Sequence, residues 1–379
     1  MMSAGLQTAN RLLHRFSRQS FIHPSSFILL LVLCAGVSVA HLLPSQIESV
    51  EGAAPRYTWV SHGRVEGHLA LAYSPAAAFS PDSTALAVVT EDKVVLMNLR
   101  EGGVQKTLRP HVEGVADLTI QSANYVAPSR LFLLGSGLFR AKDKRSAGPT
   151  PTLGFQWDIE QDSSFGKVNA IAAGGGFTPP RYFPQIGYLA FYRDSNFDLW
   201  QPVTGRGGRV TLPSLTRRPN LFEFSPDGHW LLLAQIEASS TSDPTVVELH
   251  EHQFVDSLRG HQGTVLSMAF SRDDKKAVTA CEDGKVRIWS VPEWRLLKTL
   301  EGHHGPVHWA EFSPDGTWVV SGGEDTTVRV WSAEQGTLEQ TLAESKSPIL
   351  TVAFSPNGEY IAGSAEDVVL VWQRTVGSQ

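Results

Sequence analysis

Two stretches near the carboxyl end of the chain repeat each other without a gap. Residues Arg259–Ser290 read RGHQGTVLSMAFSRDDKKAVTACEDGKVRIWS, and 42 positions later Glu301–Ser332 read EGHHGPVHWAEFSPDGTWVVSGGEDTTVRVWS. A period of about 40 residues is typical of repeat architectures, in which each unit buries its apolar faces against its neighbours. The repeat therefore restricts the chain to a series of similar units, placed in a stack or around an axis.

Within one unit, the sequence pattern is that of short β-strands. The runs TWVVSG and TVRVW are rich in β-branched and aromatic residues, and SPDG supplies a proline and a glycine that suit a tight turn. No unit has the period of an amphipathic helix. Each unit is predicted to form four antiparallel strands, whose two faces are covered by the neighbouring units.

Further copies of the pattern lie on both sides of this pair. A third copy begins at Thr341, since Phe354 follows Phe312 by the same 42 positions. Upstream, Ala78–Leu99 and Phe222–Ala234 keep the Phe-Ser-Pro-Asp signature, and two units between them each have strands that end in a tryptophan. The seven predicted units span residues 68–109, 111–167, 168–213, 214–259, 260–301, 302–343 and 344–373.

These units resemble the WD-repeat family of β-propellers. The resemblance implies an all-β fold, a seven-bladed β-propeller of four-stranded antiparallel blades closed by an N-terminal strand. We therefore expect Tyr57–Val65 to pair with unit seven, and the propeller to span residues 57–373, followed by a short tail at 374–379. The residues that carry the resemblance are Gly260, His261, Asp283, Ile288 and Trp289 in unit five, and Gly302, His303, Asp325, Val330 and Trp331 in unit six.

The recurring histidine, hydroxyl, aspartate and tryptophan could be taken for a catalytic triad, but the family resemblance implies a structural hydrogen-bond relay. A hydrolase needs one exposed nucleophile, whereas this set occurs twice, which favours a scaffold. Unit seven has Ser345 in the histidine place and Gly363 in the hydroxyl place, so its relay is predicted to be broken. The predicted relay residues are His261, Thr279, Asp283, Trp289, His303, Ser321, Asp325, Trp331, Asp367 and Trp372.

The resemblance also implies that partners bind at the end of the ring that carries the His and Asp loops. The residue before the turn Asp is a glutamate in units one, five, six and seven, and basic loops are expected at that end of units two and four. Such arcs of charge would steer a complementary partner, and solvated turns are the alternative. Trp309, on an innermost strand, either fills the channel or anchors a ligand. The candidate partner-binding residues are Glu91, Glu282, Glu324, Glu366, Lys142, Lys144, Arg145, Arg217, Arg218, Trp309 and His308.

Composition argues against several other classes of function. A net charge of −6 is not the footprint of a nucleic-acid-binding protein, and two cysteines exclude a framework of disulfides. The histidines of HHGPVH (His303, His304 and His308) and of HEH (His250 and His252) lack the spacing of a known closed metal site. We therefore predict no metal, no cofactor and no nucleic-acid partner.

The N-terminal region has the pattern of a targeting segment. A basic stretch precedes the apolar run Phe27–Ala40, which has Ser38 and Ala40 at the −3 and −1 places of a cleavage site. The run is short of the ~20 residues that span a bilayer comfortably. We expect residues 1–40 to be a signal peptide or a membrane anchor, with a tether through Phe27–Leu43 in the second case, and residues 41–56 to be a linker. An organelle transit peptide is a further alternative.

These features predict a monomeric, non-catalytic scaffold that binds other proteins on the loop end of the propeller. The expected location is extracytoplasmic, whether secreted, periplasmic or membrane-anchored, with an organelle or the cytoplasm as the alternative. The alternative function is a propeller-based enzyme, or a ligand or metal sensor that uses a pocket at the central channel.

Overall fold

In the computed structural model, every regular element of the described residues is a β-strand. The strands form seven four-stranded antiparallel sheets, which confirms the predicted seven-bladed β-propeller. No helix within these residues has the length and hydropathy needed to cross a membrane. The predicted targeting segment and linker, residues 1–56, lie outside the described ranges. Those ranges are 57–66, 77–90, 93–113, 115–139, 152–172, 180–193, 196–212, 219–234, 243–342 and 345–376.

The strands of each blade pair in chain order. Blades one and two consist of β2 (Ala77–Phe79), β3 (Ala85–Val89), β4 (Val94–Asn98), β5 (Gly103–Leu108), β6 (Val115–Ala127), β7 (Arg130–Phe139), β8 (Thr152–Asp158) and β9 (Ser163–Ala172). Blades three and four consist of β10 (Arg181–Phe183), β11 (Tyr188–Arg193), β12 (Asn196–Trp200), β13 (Gly207–Thr211), β14 (Leu221–Phe224), β15 (Trp230–Ala234), β16 (Thr245–Glu248) and β17 (Gln253–Ser257). Blades five and six consist of β18 (Val265–Phe270), β19 (Lys276–Cys281), β20 (Lys285–Ser290), β21 (Leu296–Glu301), β22 (Val307–Phe312), β23 (Trp318–Gly323), β24 (Val328–Ser332) and β25 (Leu338–Leu342). Blade seven consists of β26 (Thr351–Phe354), β27 (Tyr360–Ser364), β28 (Val368–Val376) and the N-terminal strand β1 (Tyr57–Glu66).

The two ends of the domain meet in blade seven. Strand β1 pairs antiparallel with β28, from Tyr57 opposite Val376 to Glu66 opposite Val368. The predicted pairing of the N-terminal strand with unit seven is confirmed. The predicted boundary at residue 373 moves to Val376, because the first residues of β1 pair with residues 374–376. Blade two also ends later than predicted, since β9 continues to Ala172.

The apolar core lies between the blades. In the described residues, seven hydrophobic clusters are each shared by two adjacent sheets. Between blades five and six, Trp331 packs in one cluster with Val278 and Ile288. The cluster that joins Val88 of blade one to Val369 of blade seven completes the series and closes the ring. Each large apolar side chain buried in this way contributes roughly 1.5–3 kcal/mol.

The first strand of each blade lies nearest the ring axis. Strand β22 contacts β18 and β26, the first strands of the blades on either side. Arg181, on β10 of blade three, reaches Trp309 on β22 of blade six. The connections between blades and the turns after the second strands share one end of the ring, called here the relay end. The turns after the first and third strands share the opposite end.

Candidate functional site

Blade six contains a complete hydrogen-bonded relay at the relay end. His303, in the connection before β22, places Nε2 at 2.8 Å from Ser321 Oγ and Nδ1 at 2.9 Å from Asp325 Oδ1. Trp331 donates its indole N–H to Ser321 Oγ at 2.8 Å. The four side chains join the connection between blades to the second strand, the turn after it and the third strand.

The charge state of the relay follows from its surroundings. Burial lowers the pKa of His303, and this outweighs the opposing effect of its bond to Asp325. For Asp325, burial raises the pKa, but the His304 backbone N–H and the His303 ring lower it further, to about 2. A neutral His303 therefore donates from Nδ1 to a carboxylate and accepts the Ser321 hydroxyl proton at Nε2. Every donor in the relay has an acceptor.

The order Ser321, His303 and Asp325 matches that of a catalytic triad, but the serine is not presented to a substrate. Ser321 is 0% exposed, and its Oγ already accepts the Trp331 N–H. A nucleophile has to reach the carbon that it attacks. These three residues therefore stabilise the fold, because leaving one of these buried polar groups unpaired would cost about 1–3 kcal/mol of stability.

Blade five holds its histidine with a different acid. His261 Nε2 lies 2.9 Å from Thr279 Oγ1, and Trp289 donates to the same hydroxyl at 3.1 Å. His261 Nδ1, however, lies 3.2 Å from Asp243 Oδ1, in the turn after the second strand of blade four. The predicted contact of Asp283 with His261 is replaced by a contact between blades.

The larger residue Cys281 accounts for the different acid partner of His261. Blade six has Gly323 beside its histidine, where an added β-carbon would come within 3.0 Å of His303 Nδ1. Blade five has Cys281 at the equivalent place, 42 residues earlier. Arg287 donates to both carboxylate oxygens of Asp283, at 2.7 and 3.2 Å. Burial raises the pKa of the Cys281 thiol to about 11, so the thiol is neutral at physiological pH.

Blade seven has the tryptophan of the pattern without the rest of the relay. Ser345 donates its hydroxyl within its own turn, to the Ser347 carbonyl at 2.6 Å. The Trp372 ring lies against Gly363, where an added β-carbon would come within 3.0 Å of Trp372 Cζ3. Asp367 is exposed. Trp372 is buried nonetheless, so it stabilises this blade by packing.

Three of the predicted glutamates occupy equivalent turns at the relay end. Glu282, Glu324 and Glu366 each follow the second strand of a blade, in blades five, six and seven, and all three are exposed. Three adjacent blades therefore present carboxylates on one arc, called here the acidic arc. The other charged candidates lie outside the described residues: Glu91, Lys142, Lys144, Arg145, Arg217 and Arg218.

Local contacts orient two of these carboxylates. The Thr264 backbone N–H donates to Glu282 Oε2 at 3.0 Å. His308 places Nε2 at 2.9 Å from Glu324 Oε2. Thr264 lies just before β18, and His308 lies on β22. The third glutamate, Glu366, lies in an exposed turn.

A β-bulge places His308 beside Glu324. Val307 pairs with Gly323 and Trp309 pairs with Gly322, so His308 is the extra residue on its strand. A bulge re-aims a side chain and disrupts the ladder locally. His308 therefore lies beside the acidic arc, whereas its neighbour Trp309 faces the axis.

Trp309 takes part in a contact across the channel. The Arg181 guanidinium lies 5.4 Å from the centroid of the Trp309 ring. Arg181 Nη1 also lies 2.8 Å from Glu223 Oε2, and Gln185 donates to the other oxygen of Glu223 at 3.2 Å. Glu311 Oε1 accepts the Phe354 backbone N–H at 2.6 Å. Arg181 therefore links Trp309 to Glu223, whereas Glu223 Oε2 is buried and makes no hydrogen bond within the described residues.

The two carboxyl groups near the axis should make the stability of the propeller depend on pH. Burial raises the pKa of Glu223 to about 7 and that of Glu311 to about 8, and the charge of Glu223 adds to the effect at Glu311. A raised folded-state pKa gives stability that is fully present below the unfolded value near 4.5 and is lost as the pH rises through the folded value.

We therefore expect Glu311→Gln to stabilise the protein by on the order of 1 kcal/mol at pH 8, and by less at pH 5. Glutamine keeps an oxygen that can accept the Phe354 N–H. Urea denaturation at the two pH values measures the difference. An identical change in the free energy of unfolding at both would contradict the assignment of the raised pKa to this side chain.

Comparison with known proteins finds WD repeats in the second half of the chain. The WD40 family, described as WD domain, G-beta repeat, matches residues 252–290, 294–332 and 336–373. Each match begins with the fourth strand of one blade and ends with the third strand of the next. Sequence repeat and blade are thus offset by one strand, and the same offset lets β1 complete blade seven.

One curated relative is similar to part of the chain. Coronin-7 of Pongo abelii is 31% identical over 99 residues, which are 25% of this chain and 11% of that protein. The matched part thus covers about a tenth of the relative's length.

Proposed function

This chain is a WD-repeat β-propeller, and from that premise we propose that it is a non-catalytic scaffold that binds another protein at the relay end of the ring. WD-repeat propellers generally bind other proteins. We choose the relay end because of the acidic arc: Glu282, Glu324 and Glu366 are exposed there on three adjacent blades.

The chemistry of the acidic arc indicates the kind of partner. Carboxylates of one sign on adjacent blades attract and orient a basic surface, and they repel an acidic one. His308 Nε2 lies 2.9 Å from Glu324 Oε2 and orients this carboxylate. The proposed partner is therefore a protein with a cluster of Lys and Arg residues.

Charge reversal on the arc tests the proposal. We expect the combined change Glu282→Lys, Glu324→Lys and Glu366→Lys to reduce capture of the partner from the native source by at least about tenfold, because the Coulomb term changes sign. The matched control reverses three exposed glutamates in turns at the opposite end, Glu101, Glu293 and Glu334. Equal capture by the two variants would refute a docking site on the acidic arc.

We further propose that the propeller is monomeric and lies outside the cytoplasm. The support for the location is the basic stretch followed by the apolar run Phe27–Ala40. Mass spectrometry of the protein from its native source tests this, since cleavage after Ala40 would give a mature chain that begins at His41. An intact, unanchored N-terminus in the cytoplasm would refute the proposed location.

A further inference from the structure

Blade four brings two histidines and a glutamate together at the opposite end of the ring. Trp230 pairs with Glu248 across strands β15 and β16, and the Leu249 N–H donates to the His229 carbonyl at 2.9 Å. His229 therefore stands next to the end of β16. His250 follows Glu248 by two residues and joins the same group.

The three side chains are close enough to share one ion. His229 Nε2 lies 3.2 Å from Glu248 Oε1, and the two imidazole rings have their centroids 4.8 Å apart. One donor atom from each residue can be chosen so that all lie within 4.8 Å of one another. Two donors bound to the same zinc at ~2.0–2.1 Å and a tetrahedral angle are roughly 3.3 Å apart. The His229–Glu248 pair already has this spacing at 3.2 Å, and the donor atom of His250 lies within 4.8 Å of both.

Glu248 is held in place as a metal-binding carboxylate would be. It is 7% exposed, and the backbone N–H groups of His250 and Glu251 donate to its two oxygens. The two backbone bonds fix the orientation of the carboxyl group, and hydrogen bonds of this kind to a ligating carboxylate strengthen metal sites.

His252, the other histidine of the HEH stretch, does not join the cluster. His250 and His252 alternate along the chain, but His252 Nδ1 lies 2.8 Å from the Thr211 carbonyl of blade three. Its backbone is left-handed, with φ at 54°, which turns the side chain away from His250. The third donor comes instead from His229, which only the pairing of β15 with β16 brings near.

We propose that His229, Glu248 and His250 bind a divalent transition metal, with Zn²⁺ as the best fit. Two imidazoles and one carboxylate suit zinc, whereas Ca²⁺ and Mg²⁺ prefer sites made of oxygen donors. Three protein ligands leave at least one coordination position open. His250 is exposed and His229 is partly exposed, so water or a donor from a second molecule can reach that position. The site lies away from the acidic arc and does not depend on the proposed function.

Isothermal titration of the full-length chain, without a histidine tag, tests this site with Zn²⁺ alone. We expect one zinc per chain, and a loss of affinity of at least about tenfold in His250→Ala and in Glu248→Gln. His252→Ala is the matched control, because its imidazole lies two residues away and bonds to blade three.

His229 packs on Trp230, with ring centroids 4.8 Å apart, so His250→Ala, at an exposed position, is the safer variant for a folded protein. Circular dichroism confirms that each variant is folded before titration. The proposal is overturned if the unaltered protein shows no saturable zinc binding with a Kd below about 100 μM. It is equally overturned if His252→Ala loses as much affinity as His250→Ala.

Discussion

Replacing Trp59 with alanine is expected to lower the free energy of unfolding by about 4 kcal/mol. Trp59 lies on β1, is 5% exposed, and packs edge-to-face against Trp318 and Phe354 at centroid distances of 5.9 and 5.8 Å. Its backbone N–H and carbonyl both bond to the Gln340 side chain of blade six, each at 2.8 Å. The substitution leaves a cavity where the closing strand meets two blades.

The neighbouring residue provides the control for this prediction. Val60 is 45% exposed on the same strand, and Val60→Ala should change the stability by no more than about 0.5 kcal/mol. Urea denaturation followed by circular dichroism compares the two variants. Similar losses in both, or no loss in Trp59→Ala, would show that β1 does not hold the ring closed.

Replacing Asp325 with alanine is expected to lower the free energy of unfolding by about 3 kcal/mol, because removal of one partner leaves buried groups unpaired. His303 Nδ1 would lose its acceptor, as would the backbone N–H groups of His304 and Thr327. Asp367→Ala is the matched control, since Asp367 stands 42 residues later in the blade that lacks the relay and is exposed there.

The pH dependence of Asp325→Ala gives a second readout. The folded-state pKa of Asp325, about 2, lies below the usual 3.8. Its contribution is therefore present above pH 3.8 and is lost as the pH falls through 2. The stabilities of the unaltered protein and of Asp325→Ala should converge as the pH is lowered over this window. Equal melting temperatures for Asp325→Ala and Asp367→Ala at pH 7 would contradict the claim that the relay stabilises the fold.

Much of the fold could be predicted from the sequence because the 42-residue spacing fixes the strand order. Once four short strands recur at that period, the apolar faces can only be buried against neighbouring units, and closure follows from the offset between repeat and blade. The divergent blades two and three kept a tryptophan at a strand end, buried in blade two (Trp157) and half-buried in blade three (Trp200). Trp157, for instance, is buried and donates its N–H to Asp162 at 3.1 Å in place of a strand hydroxyl.

The side-chain contacts at the sites could not be predicted from the sequence, because they depend on side-chain size and on neighbours from other blades. The acid that holds His261 changed because Cys281 stands where blade six has a glycine, and the substitute, Asp243, comes from the adjacent blade. The cluster around Glu248 requires the register between β15 and β16. Given that register, the cluster is predictable, because His229 stands one residue before Trp230, the residue that pairs with Glu248.

The acidic arc was predictable because its glutamates precede an aspartate at a fixed place in the repeat. The basic loops expected in units two and four differ in length from the other turns, so the period does not fix their position. Glu282, Glu324 and Glu366 therefore carry the proposed interaction, and electrostatic docking on them has a specific dependence on salt.

The most direct test is the Kd between the full-length chain and its captured partner, measured from roughly 50 to 500 mM salt. For the unaltered protein, the affinity should fall by at least about tenfold over this range, as charges on the arc are screened. For the variant with lysine at positions 282, 324 and 366, binding should be weakest at low salt and should not fall as the salt concentration rises, because salt then screens a repulsion. The same Kd for both proteins at every salt concentration would contradict binding on the acidic arc.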